Sequence, residues 1–149
     1  MRMTIKVCLV SVFVLISAFL PTSLRALDIW KFDKMADEDQ GAYVGSLVEG
    51  AENVLKNDGR TADVQKVHEL FSTTLPGDKL TVGMTQFEIN LARARLVDAK
   101  AVAQNHDAQR LEVEHVIIMT LKNNGIVLPK SFMTVGKGFK PKHPPQNDR

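Results

Sequence analysis

Cysteine is almost missing from this chain: the 149 residues contain one, Cys8. No intrachain disulfide can form, so packing alone must hold the fold together. Cys8 also stands near the beginning of an apolar run, whereas a lipoprotein cysteine would follow one. A nucleic-acid surface is lacking as well, since no helix carries a basic stripe and no basic cluster is interleaved with aromatics. There is no HExxH, paired Cys-x-x-Cys, GxSxG, P-loop or dinucleotide glycine pattern. Covalent hydrolysis therefore has no candidate nucleophile. The expectation is a protein that is not an enzyme and has no catalytic residues, cofactor or metal. Glu112 and His115 form one Glu-x-x-His pair, but di-iron bundles use two such pairs and two further glutamates. His68 and His115 sit beside apolar residues on helical faces, and His106 falls in a turn; all three read as ordinary structural or solvated histidines.

Long apolar runs are lacking too. The longest, Val7 to Leu20, is 14 residues, short of the roughly 20 needed to span a bilayer. Arg2 and Lys6 precede or open it and "PTSLRA" follows it, which is the order of a secretory signal cleaved near Ala26. An uncleaved anchor would need a longer run. The expected location is periplasmic or secreted, with no stable membrane insertion after cleavage. Cleavage removes Arg2, Lys6 and Arg25 and no acid, so the formal net charge falls from +2 to −1. Residues 137–149 are rich in proline and basic side chains and nearly devoid of apolar ones, and they read as a disordered tail. Residues 27–136 then form one domain, long enough for a single core.

Helical periodicity fills that domain. A first helix runs to about Lys56, capped by Asp37 or Asp39, with Val44, Leu47, Val48, Ala51 and Leu55 on its stripe. "NDG", Asn57 to Gly59, stops it. A second covers about Ala62 to Ser72, with Thr61 as cap and Val64, Val67, His68 and Phe71 on one face. After the loop "TTLPGDKL", "TQFE" offers a capping box with Thr85 as N-cap and Glu88 three residues on. This third helix reaches about Ala103. Phe87, Leu91, Ala94 and Ala101 form one apolar face; Ile89, Ala92, Leu96 and Ala99 form a second, so the helix should be sandwiched. A fourth spans about Ala108 to Asn123 with Asp107 as cap, and its "VIIMTL" suits a central position. "IVLPKSF" is extended. The fold class is all-α: a small bundle of about four helices with an extended C-terminal segment.

Three glycines interrupt the first helix, each at a cost of about 0.8–1 kcal/mol relative to alanine. Gly41 and Gly45 lie together on one flank of the stripe and Gly50 on the other. Close helix packing explains them; a shallow concavity for a partner's side chain is the alternative. Asp98 falls among the apolar residues of the third helix, where a carboxylate needs a partner, and Arg95 is the expected one.

"GAYVGSLVEGAENVL", "VGMTQFEINLARARLV" and "EHVIIMTLKNNGI", in that order behind an export signal, resemble the Tai-like family. These are small periplasmic immunity proteins for type VI secretion amidase effectors. The likeness covers Gly41 to Pro129 and rests on spacing and residue class. Such proteins commonly carry a cysteine pair joining the helices, which is missing here. The resemblance implies a binding module that covers the active cleft of another protein, a secreted amidase or other effector. Small acid-stress chaperones of the periplasm, with broad client binding, are a second analogue. Recognition tends to reside in loops on a rigid scaffold, which singles out Ser72 to Thr81 and Gln104 to Asp107. Within them, Thr74, Asp78, Lys79, Asn105 and His106 are the candidate contacts.

Overall fold

Five α-helices and a 3₁₀ helix follow one another in the computed structural model, which describes residues 27–104, 111–136 and 139–146. The expected export signal, Asp107, Asn105 and His106 lie outside them. The helices are α1 (Ile29–Asp33), α2 (Asp37–Asn57), α3 (Thr61–Ser72), α4 (Val82–Ala103) and α5 (Val113–Asn123), with the 3₁₀ turn at Lys130–Thr134. The all-α class is as the periodicity requires. No described helix is long and apolar enough to cross a membrane.

α1 has no counterpart in the sequence reading, because five residues are too few to show a period. It buries Ile29 and Phe32, and Met35 just beyond its end is buried as well. Its N-terminal flank pairs with the start of α5: Ile29 N–H donates to Leu111 C=O at 3.1 Å, and Val113 N–H donates to Leu27 C=O at 3.0 Å. That pairing keeps Leu111 and Glu112 non-helical, so α5 begins at Val113 rather than near Ala108.

The cap assignments need correction. Ala36, not Asp37 or Asp39, is the N-cap of α2, and its side chain cannot cap. Asp37, Glu38 and Asp39 instead fill the first turn, where their negative charge suits the helix dipole. Thr61 lies inside α3, whose N-cap is Arg60; the Arg60 guanidinium bonds Asp63 at 2.6 Å and also donates to Val127 C=O. Thr81, not Thr85, caps α4 by accepting from Met84 N–H at 3.2 Å. Thr85 is inside the helix and turns its hydroxyl back to Thr81 C=O at 3.0 Å.

The expected α2 stripe is buried, with Val48 partly so, and it also takes in Tyr43. Gly59 stops the helix at φ 74°, a left-handed conformation that glycine adopts without strain. α3 packs on α2 and α4 but buries fully only Val67. α5 puts Val116, Ile117 and Leu121 in the core, while Met119 of the same run is exposed, so the helix is buried on one side rather than all round. Phe32 links the layers by lying against the rings of Tyr43 and Phe87, 6.1 and 6.4 Å away between centroids.

The C-terminal residues are not a free tail over the described part. Asp39 turns its carboxylate to the N–H groups of Lys142 and His143 at 3.0 and 2.8 Å. Gln146 N–H donates to Lys34 C=O at 2.8 Å. Phe139 stands edge-on to Tyr43, 4.9 Å between centroids. Residues 139–146 thus form a strap across the C-terminal end of α1 and the N-terminal end of α2.

Candidate functional site

α4 is apolar on two sides, but it is not sandwiched. Its core face holds Phe87, Leu91, Ala94 and Ala101. On the opposite side of the helical wheel, Ile89, Ala92, Leu96, Ala99 and Ala103 all meet solvent. Leu96 is 68% exposed and Ile89 49%, and Val97 beside them 53%. From Ile89 to Ala103 the row is about 21 Å long at 1.5 Å per residue. Arg93 and Lys100 border it in sequence, also exposed.

A groove of about 530 Å³ adjoins this face. Its lining includes Gly41 and Gln40 of α2 and Glu88, Ala92 and Arg95 of α4. Ala92 belongs to both the outward row and the groove, so the two surfaces are continuous. The groove also decides what Gly41 does. A Cβ at Gly41 or Gly45 would meet nothing within 4 Å, so the close packing expected of this pair is absent. Gly41 instead lines the groove, with open space where a side chain would stand. Gly50 does sit at a close approach, but to Val135 beyond the 3₁₀ turn rather than to another long helix.

The loop ahead of α4 is exposed from Ser72 to Leu80. It is closed at its base by an antiparallel bridge between Thr74 and Thr81, and Val82 N–H donates to Thr73 C=O at 2.8 Å. Gly77 turns the tip at φ 86°, and Asp78 N–H donates to Leu75 C=O at 3.0 Å. Thr74, Asp78 and Lys79 therefore share one projecting loop, together with exposed Leu75 and Leu80. Asn105 and His106 follow Gln104, the C-cap of α4, and lie outside the described residues. The two expected recognition segments are thus the two ends of one helix. The solvent-facing row between them was legible as a second stripe; its exposure was not.

Arg95 is not the partner of Asp98. It grips Asp33 of α1, with Nη2 2.7 Å and Nε 3.0 Å from the two carboxylate oxygens. Asp98 is buried and accepts from Leu111 N–H at 3.3 Å. His68 is exposed, 3.6 Å from Glu52, and His115 lies 3.9 Å from Glu112. Among the described residues no group of three His, Cys, Asp or Glu is placed to hold a metal ion.

The most unusual polar group is one the sequence reading passed over. Glu114 is fully buried in α5. Its Oε1 accepts from the Tyr43 hydroxyl at 2.5 Å, while Oε2 has no hydrogen-bond partner among the described residues. Burial pushes the Glu114 carboxyl above its ordinary range, against the opposing bond from Tyr43. Burial and the neighbouring carboxylate likewise push the Tyr43 phenol up. Gly136 closes over the pair: a Cβ there would overlap the Glu114 carboxylate and the Tyr43 hydroxyl. The pair and Gly136 bring α2, α5 and the C-terminal segment together.

No family model, curated protein or solved structure matches this chain.

Proposed function

We propose that this chain is an exported protein-binding module whose recognition surface is the outward face of α4, its adjoining groove and the loop ahead of it. The observation that carries the reading is the row Ile89, Ala92, Leu96, Ala99 and Ala103, exposed on a helix whose other side is already buried. A contiguous apolar surface beside a groove is the kind of feature that marks an interaction site. The groove admits a side chain from a partner, while the loop supplies polar contacts at the rim. The Tai-like order of helices supports a secreted amidase or related cell-wall-degrading effector as the partner, and inhibition by covering its cleft as the action.

The test is reconstitution with exported hydrolases encoded beside the gene. A discrete complex is expected, burying about 1,200–2,000 Å² and suppressing hydrolysis. Leu96→Asp should abolish it and leave the melting temperature unchanged. Broad protection of unfolded clients, with no discrete complex, would instead select the stress-protective alternative.

A further inference from the structure

A second concavity lies far along the chain from α4, between α1 and the strap. Its volume is about 370 Å³, within the range of small-ligand sites. The walls are apolar. Leu27, Trp30 and Met35 line one side, and Pro141 and Pro145 the other. The strap wall is fixed rather than loosely apposed, because Asp39 holds Lys142 and His143, and Lys34 C=O holds Gln146.

The charge around this cleft is one-sided. Among the described residues Lys31, Lys34 and His143 line it, and no carboxylate does. Two of the three already have acidic partners: Lys31 is 3.7 Å from Asp28, and His143 is 3.1 Å from Asp39 and 3.7 Å from Glu38. Lys34 makes no ion pair among the described residues; its ammonium is held 4.4 Å from the centroid of the Trp30 ring. That cation–π contact stations a positive charge at the edge of an apolar slot.

We propose that this cleft binds a single-chain amphiphilic carboxylate, with the alkyl chain along Trp30, Met35 and the strap prolines and the carboxylate on Lys34. An apolar slot gains by burying an alkyl chain, and an unpaired ammonium gains a charge-assisted hydrogen bond to the head group. A neutral amphiphile satisfies only the first requirement, and a second aliphatic helix leaves Lys34 unanswered. The free carboxylate, rather than a bilayer, is the assigned occupant because the slot is walled on two sides, by α1 and by the strap.

Trp30 is the chain's only tryptophan and reports directly on occupancy. Titration of the exported chain with sodium dodecanoate, below its aggregation threshold, should give a saturable change in tryptophan emission. Dodecan-1-ol should bind at least about tenfold more weakly, and Lys34→Gln should weaken dodecanoate by about tenfold without affecting the alcohol. Amide NMR shifts should concentrate at Lys34, Met35 and Gln146, an independent readout because Lys34 itself touches the reporter ring. The proposal is overturned by absence of saturation, by equal affinity for acid and alcohol, or by shifts centred on the Gly41 groove. An emission change seen with phosphatidylglycerol vesicles but not with free dodecanoate would also overturn it.

Discussion

The Tyr43 hydroxyl donates to Glu114 at 2.5 Å across 71 residues of chain, and the pair is sealed beneath Gly136. It joins α2, α5 and the C-terminal segment in a single contact, in a region where water cannot substitute for a lost partner. Tyr43→Phe removes the donor, so both Glu114 oxygens become unpartnered. A loss of about 1–3 kcal/mol is expected, read as a lower denaturant midpoint with unchanged slope. A variant as stable as the parent would show that the pair contributes nothing net.

The same carboxyl gives a pH dependence of known sign. Burial raises the folded-state pKa of Glu114 above its ordinary 4.5. Its protonated form is the favoured one inside, so its contribution is intact at and below that value. It declines as pH rises from 4.5 through the higher folded-state value. The stability difference between the parent and Glu114→Gln should shift against the parent across that interval. A difference that stays flat with pH would reject the raised pKa.

Asp39 works in the opposite direction. Burial disfavours its charge, but the Lys142 and His143 N–H groups and the His143 ring outweigh it, and the pKa lies below the ordinary 3.8. Its contribution is complete above that value and is lost as pH falls through the folded-state pKa. Asp39→Ala should free the strap at neutral pH. Residues 139–146 should then be cleaved faster by a protease while the helical signal persists. Equal cleavage rates in the two proteins would show that Asp39 does not hold the strap.

The three helical glycines should divide by substitution to alanine. Gly41→Ala and Gly45→Ala meet open space and should each stabilise by about 0.5–1 kcal/mol through helix propensity. Gly50→Ala must displace Val135 and should destabilise by about 1–3 kcal/mol. Thermal melts of the three variants decide the matter. A stabilising Gly50→Ala would mean that the segment around Val135 yields easily.

By itself the sequence determined the all-helical class, the extents of α2 and α3, the C-terminal end of α4 and the stripe from Val44 to Leu55. Those features follow from a period of 3.6 residues and from stop signals such as Asn57 to Gly59, which are encoded locally. It also showed that α4 has two apolar faces, but not that Ile89 and Leu96 stay in solvent, since periodicity does not count the neighbouring helices. Partner choice was decided only in three dimensions. Arg95 bonds Asp33, 62 residues away, in preference to Asp98 on its own helix. Asp39, which read as a helix cap, bonds backbone more than 100 residues away. Glu114, just ahead of the run read as apolar, is buried against Tyr43. Asp39 and Glu114 are polar groups taken out of water that had to find a partner, whereas Arg95 and Asp33 meet at the surface. In all three cases the partner was set by which segments the tertiary fold brought within about 3 Å.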